Sequence, residues 1–139
     1  MPIEIAPYLG LNGKCREAMS FYKECFGGEL TLLTVAETPA AAQCPAGMQD
    51  QIMHSTLING PFILMATDMS HPDMQTKNAT MSMSLNFSAE EEINACYAKL
   101  VAGGRVLTKL EISFWGALFG VVEDRFGMVW MLNFDKNKQ

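Results

Sequence analysis

An α+β fold made of two copies of a βαβββ unit is what this sequence predicts, and two internal echoes and one alternating strand carry the prediction. Ser20–Leu30, SFYKECFGGEL, returns in weaker form 76 residues later as Cys96–Val106, CYAKLVAGGRV, with Phe21 matching Tyr97, Lys23 matching Lys99 and Gly27-Gly28 matching Gly103-Gly104. Each copy reads as the last turns of an amphipathic helix, a glycine stop and the first residue of a strand. Gly60–Asp68, GPFILMATD, and Gly127–Asp135, GMVWMLNFD, are likewise a glycine, seven mostly apolar residues and an aspartate. Thr80–Phe87 alternates, with Met81, Met83, Leu85 and Phe87 on one face and Ser82, Ser84 and Asn86 on the other, the period of a half-buried strand.

Taken in order, Ile3–Leu11 reads as a strand that ends in Asn12-Gly13, a turn and helix-cap signal. Ala18, Phe21, Tyr22, Cys25 and Phe26 then form one apolar stripe of a helix closed by Gly27-Gly28. Glu29–Glu37 is a second strand, and Thr38–Asp50, with its alanines, two prolines and Gly47, is a loop long enough to cover a binding site. Gln51–Ile58 and Phe62–Thr67 make a hairpin about Asn59-Gly60-Pro61. Met69–Ala79 is polar and turn-rich, so the chain divides into a module over about 1–68, a linker over about 69–79 and a module over about 80–139, all within one domain spanning 1–139. In the second module, Ser88 and Glu91 form a capping box ahead of the stripe Ile93, Cys96, Tyr97, Leu100 and Val101. Strands near Arg105–Leu110, Trp115–Glu123 and Met128–Phe134 complete it, with Arg125–Gly127 as the last turn.

Composition narrows the function classes. A chain of 139 residues buries a core without disulfides or a structural metal. With 49% apolar and 18% charged residues and no apolar run near the roughly 20 residues of a membrane span, a soluble protein is expected. The opening MPIEIAPYL lacks the pattern of a secretory signal, so the cytoplasm is the expected location. A net charge of −5 without a basic cluster argues against nucleic acid or an anionic membrane as partner. The four cysteines, 15, 25, 44 and 96, have no metal-finger or C-x-x-C spacing and read as buried free thiols. Cys15 stands apart, since backbone N–H groups in a first helical turn lower a thiol pKa.

Paired βαβββ units, and in particular YLGLNGKCREAMSFYKECFGGEL, IMHSTLINGPFILMATD and FWGALFGVVEDRFGMVWMLNF in that order, resemble the PhnB-like branch of the vicinal oxygen chelate superfamily. That superfamily includes glyoxalase I, bleomycin-resistance proteins and extradiol dioxygenases, and the likeness covers nearly the whole chain. It implies that each unit curls its sheet into half of an open barrel, and that two units, from one chain or two, enclose a small-molecule site. Some PhnB-like members carry a ubiquinone-pathway methyltransferase label, but no glycine-rich loop in a parallel αβ pattern supports a nucleotide-type methyl donor here.

The resemblance also implies a divalent metal, with one ligand on the first and one on the last strand of each unit, from imidazole or carboxylate donors. Matched to the helix motif, the first-strand positions are Pro7 or Tyr8 and Met83 or Ser84, and the face pattern favours Tyr8 and Ser84. Counted from the turn glycines, the last-strand positions are Leu64 and Met131, or their immediate neighbours. None is His or Glu, so no metal ligand is assigned, a divalent cofactor is not expected, and any other cofactor is unknown.

What the residues leave open is the site. His71, in a polar HPD turn, reads as exposed, whereas His54 on a strand is either structural or a cavity-lining acid, base or orienting group, and so is the candidate catalytic residue. By the second echo its counterpart is near Val121. Asp68 and Asp124 at strand ends read as solvated caps, with a weak ion pair between Asp124 and Arg125. A ligand cavity is expected on the concave sheet faces, bounded by Tyr8, His54, Ser82, Ser84, Asn86, Trp115 and Trp130, with 38–50 as a cover. Trp and the eleven Met side chains would suit an apolar or aromatic ligand. The expectation is a homodimeric, non-metal binding protein; the alternative is a metal-dependent glyoxalase-type lyase or isomerase, or a dioxygenase-like enzyme.

Overall fold

The computed structural model describes residues 3, 5–43, 46–69 and 81–135, which fall into two compact units, Met1–Lys77 and Asn78–Gln139. Each is a four-stranded mixed sheet with one main helix, in the order βαβββ, so the α+β fold and both predicted modules are present. The expected linker beyond Met69, His71 and Cys44 lie outside the described residues.

The first unit runs β1 (Tyr8–Gly10), α1 (Cys15–Phe26), β2 (Glu29–Thr34), β3 (Ile52–Asn59) and β4 (Phe62–Thr67), with sheet order β1-β4-β3-β2. β1 pairs parallel to β4, and the other ladders are antiparallel. The helix buries Cys15, Ala18, Met19, Phe21 and Tyr22, and the strands return Ile52, Leu57, Leu64 and Ala66 to the same core. Its glycine stop has two jobs. Gly27, at φ +72, ends the helix by donating its N–H to Lys23 O. Gly28, at φ +97, lies so close to β3 that a Cβ would collide with the Ile58 carbonyl oxygen. Asn59 then caps the helix from the hairpin turn, its Nδ2 donating to Phe26 O at 2.7 Å.

The second unit runs β5 (Met83–Phe87), α2 (Glu90–Val101), β6 (Arg105–Ile112), β7 (Leu118–Glu123) and β8 (Val129–Phe134), with order β5-β8-β7-β6. α2 buries Ile93, Cys96 and Leu100 against Val122, Trp130, Leu132 and Phe134. The second glycine pair repeats the first: Gly103 is left-handed, and a Cβ on Gly104 would strike the Glu123 carbonyl oxygen. Arg125 takes the part of Asn59, its Nε and Nη2 donating to Ala102 O at the end of α2.

Several local expectations are corrected. Asn12 and Gly13 form the predicted turn, both at positive φ, but Lys14 is the N-cap and its side chain makes no cap bond. The cap comes from 53 residues away: Asp68 Oδ1 accepts Gly13 N–H at 2.7 Å and Cys15 N–H at 2.9 Å, while Oδ2 accepts Ile52 N–H at 2.9 Å. Asp68 is therefore no solvated cap but a carboxylate only 8% exposed. Asp124 is buried too, at 3%, gathering the N–H groups of Phe126 and Met128 and the Trp130 indole N–H. At α2 the residue in the cap position is Ala89 rather than Ser88, and Glu90, Glu91 and Glu92 fill the first turn, where the helix dipole favours negative charge. The strand after α1 stops at Thr34, and 35–37 form a 3₁₀ turn closed by Glu37 accepting from Thr34 N–H and Oγ1–H, contacts that hold the Glu37 carboxyl below its ordinary pKa. Within the predicted loop, Pro39–Gln43 and Ala46–Met48 are further 3₁₀ turns, held in part by Gln49 Nε2 on Ala41 O.

Cys15 is corrected in sign. It is fully buried, with Sγ 3.2 Å from Ser55 Oγ, and burial outweighs the lowering effect of Ser55 to push the thiol up to about 11. The first helical turn does not activate it, because the thiol is buried, the Cys15 N–H is taken by Asp68 and that neighbouring carboxylate opposes a thiolate.

Asp68→Ala should lower unfolding stability in urea by roughly 3–5 kcal/mol, because two buried N–H groups and one half-buried one lose a charged acceptor. A loss under about 1 kcal/mol would show that the carboxylate does not organise the unit.

Candidate functional site

Strand register decides which side chains face away from each helix. In the first unit Tyr8 stands opposite Met65, Met65 opposite Thr56, and His54 opposite Leu33. The open face of this sheet therefore carries Tyr8, His54, Thr56 and Met65, while Leu57, Leu64 and Ala66 point into the core. On that face Tyr8 Oη lies 3.0 Å from His54 Nδ1, with the rings 5.5 Å apart and tilted at 54°. The other ring nitrogen, Nε2, is 3.3 Å from Thr56 Oγ1. Tyr8 is 44% exposed, so the chain Tyr8–His54–Thr56 is open to solvent at the tyrosine end. Neutral imidazole has one donor and one acceptor, and here both are engaged. Tyr8 and His54, 46 residues apart, are thus brought together. Thr56 was missed, although its place two residues beyond His54 on the same strand puts it on the same face.

In the second unit β5 pairs parallel with β8, setting Ser84 opposite Met131 and Asn86 opposite Asn133. Ser84 and Asn86 are exposed, and Asn133 Nδ2 donates to Asn86 Oδ1 at 3.4 Å. Ser82 precedes the strand and donates to Met131 Sδ at 3.2 Å. Phe119, opposite Asn133, continues this face. Trp115 is not on a strand: it lies in the turn before β7, 5.2 Å from the Phe119 ring and 4.8 Å from Phe114, both edge-on.

Trp130 leaves the proposed lining. It is 1% exposed and faces α2, with its indole N–H donated to Asp124 Oδ2 at 2.8 Å. Its neighbour Met131 faces the open side beside Ser84, so alternation turns Trp130 to the helix side. A separate correction comes from turn length. The β3–β4 turn has two residues, Gly60 and Pro61, but the β7–β8 turn runs from Asp124 to Met128, so counting from the turn glycines slips the match by one. Register pairs Met65 with Tyr8 and Met131 with Ser84, which makes Met65, not Leu64, the counterpart of Met131. On the strand before the turn the slip is two residues, so the counterpart of His54 is Phe119 rather than Val121.

The first- and last-strand positions are then Tyr8 and Met65 in one unit, Ser84 and Met131 in the other. A phenol, a hydroxyl and two thioethers are a poor donor set for the borderline divalent ions that favour imidazole and carboxylate. Among the described residues, no three His, Cys, Asp or Glu side chains gather as a metal-binding group. The residues at these positions do not fit the metal that the resemblance implies.

A surface cleft of about 550 Å³ lies elsewhere in the first unit, beside the first turns of α1, lined by Arg16, Glu17, Ser20, Asp50 and Asp68 among others. Its most buried polar group, Asp68, is already spent on backbone N–H groups. The open sheet face, with polar side chains bonded to one another and not to the backbone, is the better candidate.

The fold and these positions can be set beside known proteins. The family model for the Glyoxalase/Bleomycin resistance protein/Dioxygenase superfamily matches residues 8–132. The chain is 31% identical over 144 residues to Protein YjdN of Escherichia coli (strain K12), covering 96% of this chain and 97% of that protein. Among solved structures it is similar to PA1353 from Pseudomonas aeruginosa, at 40% identity and a TM-score of 0.83, covering 96% of this chain and 98% of that one. It is also similar to a Bacillus cereus PhnB protein described as a putative 3-demethylubiquinone-9 3-methyltransferase, at 25% identity and TM-score 0.71, covering 95% and 99%. With a matching model over most of its length and PhnB-like structural neighbours, the chain belongs to the Glyoxalase/Bleomycin resistance protein/Dioxygenase superfamily.

Proposed function

We propose that this protein binds a small molecule against the open faces of its sheets without the superfamily's usual metal ligands. The observation that carries this reading is the Tyr8–His54 hydrogen bond of 3.0 Å on an open sheet face. A histidine kept for stability is normally packed and bonded to backbone, whereas this one is bonded at both nitrogens to side chains on the face that does not meet the helix. Ser82, Ser84 and Asn86 would supply hydroxyl and amide contacts in the second unit, and Trp115, with Phe119, an aromatic surface. We read the two units as halves of one domain spanning 1–139, located in the cytoplasm, with neither nucleic acid nor membrane as partner; no described helix is long and apolar enough to cross a membrane.

The alternative is an enzyme of the lyase or isomerase type, with His54 as general acid or base and Tyr8 orienting it. It is favoured by the same geometry, since a phenol bonded to an imidazole at 3.0 Å is within proton-transfer reach. If that enzyme were metal-dependent, the purified protein would hold stoichiometric, tightly bound nickel, zinc, manganese or iron. The binding reading expects elemental analysis to find none, and finding such an ion would overturn it.

Tyr8→Phe and His54→Ala should shift Tm by no more than about 2 °C, because both groups are on the open face, while weakening any ligand found in a metabolite screen by about tenfold or more. Unfolding on either substitution with unchanged ligand affinity would make these residues structural.

A homodimer is proposed from the second unit's edge. β6 is an edge strand exposing Val106, Leu107 and Ile112, and Phe114 beyond it is 98% exposed. Such an apolar edge is normally covered, most often by another copy. Light scattering on a sizing column should give twice the chain mass of 15.3 kDa at micromolar concentration, and a monomer would sink the proposal.

A further inference from the structure

Building on the proposed binding site, we infer that the Tyr8–His54–Thr56 chain is an oxyanion site that takes up its ligand, a carboxylate or phosphate, together with one proton.

When His54 is neutral it carries one N–H, so one neighbouring hydroxyl must donate to the ring and the other must accept from it. If Tyr8 donates to Nδ1, then Nε2–H points at Thr56 Oγ1, leaving the Thr56 hydrogen free and Tyr8 with lone pairs alone. The other tautomer exchanges these roles. Either way, the neutral chain offers a ligand one donor and one acceptor. Protonation of the imidazole changes both ends at once. Both ring nitrogens then donate inward, to Tyr8 Oη and Thr56 Oγ1, and both hydroxyl hydrogens are released to point outward. Two outward donors beside a positive charge match an oxyanion, and bonds of this charge-assisted kind are the stronger class.

The rest of the face leaves the positive charge to His54. In the first unit the side chains sharing the open face are Thr31 and Leu33 from β2, Ile58 from β3, and Ile63 and Met65 from β4, with Tyr8 from β1 as the other titratable neighbour of the ring. Among the described residues of this sheet, Glu29 is the one carboxylate on this face, opposite Ile58 and two ladder positions beyond Thr56 on the side away from His54. None of these is Lys or Arg. A neutral imidazole has no charge to offer an anion and leaves the chain one outward donor, so an anion favours the protonated ring and its binding is coupled to a proton. By linkage, affinity is constant below the ring's own titration and falls about tenfold per pH unit above it.

The test is an NMR titration of ¹⁵N-labelled protein with acetate, benzoate and inorganic phosphate at pH 6 and pH 8, following the His54 ring nitrogens, which His54→Asn distinguishes from His71. Saturation at pH 8 should move both nitrogens to imidazolium positions. Calorimetry in two buffers of different ionisation enthalpy should give an uptake near one proton per anion. Thr56→Val, which keeps the shape of a strand residue, and Tyr8→Phe should each weaken the anion by about tenfold while the ring stays titratable. Whether benzoate or phosphate binds more tightly identifies which kind of oxyanion the face accepts. Anion binding that is independent of pH, or that leaves the ring neutral, overturns the inference. If benzamide shifts the Tyr8–His54 face as well as benzoate does, the oxyanion class is wrong while small-molecule binding there stands. If none of the anions moves His54 and His54→Ala leaves every ligand found in the screen unaffected, both readings fail.

Discussion

The buried carboxylate of Asp68 is the constraint on which the first unit rests. It stands one residue past β4 and holds three N–H groups from separate parts of the chain, at Gly13, Cys15 and Ile52. These belong to the turn leaving β1, the first turn of α1 and the start of β3. β1 has only three residues, too few to fix its own register, and its ladder bonds to β4 are flanked by Leu11 N–H on Thr67 O. The Asp68 contacts begin two residues further on and tie down the exit of that strand. Because strand side chains alternate, a slip of one residue would turn Tyr8 from the open face into the core. The approach of Tyr8 to His54 is therefore set by a group on the opposite side of the sheet.

The second unit meets the same requirement in a different place. Asp124 lies in the β7–β8 turn, where its two oxygens hold the turn's own N–H groups and the indole of Trp130. A buried carboxylate is costly unless hydrogen bonds replace its water, and each aspartate here has at least three donors. The Asp124 cluster also explains how a tryptophan fits beneath a small sheet, since its single polar atom must find an acceptor when buried. The two units thus share an architecture and a pair of close glycine contacts at Gly28 and Gly104, but not the polar knot that braces each one.

Periodicity and punctuation made most of this fold legible. The helix stripes, the stop at Gly27 and the alternation of 83–87 each depend on contacts close in sequence, and each was readable. Tyr8, Ser84 and Asn86 could be placed on their faces by the same alternation. What was illegible depended on partners far along the chain. The cap of α1 comes from Asp68, 53 residues from Cys15, so a first-turn cysteine looked activated when it is buried beside a carboxylate. Leu64, and Val121 as the match of His54, were misplaced because a glycine marks each turn but not its length, and a five-residue turn shifts register against a two-residue one. Thr56 went unremarked because a threonine on a strand has no signature until the imidazole it meets is known.

Corrected register shows how far the two open faces have diverged. Where the first unit has Tyr8, His54 and Thr56, the second has Ser84, Phe119 and Val121. Phe119 has no nitrogen to bridge two hydroxyls, so the hydrogen-bonded chain has no counterpart there, and an amide pair at Asn86 and Asn133 next to an aromatic edge takes its place. The thioethers of Met65 and Met131 occupy matching last-strand positions in both. These are soft, polarizable groups that shape an apolar wall without adding charge. A metal ion gives a site like this a fixed positive centre. Among the described residues of the first unit's open face, the group placed to become positive is His54, hydrogen-bonded at both nitrogens to neighbouring hydroxyls. Positive charge beside Tyr8 and Thr56 is therefore gained and lost with a single proton, and in the proposed site a bound anion and the pH of the solution act on the same ring.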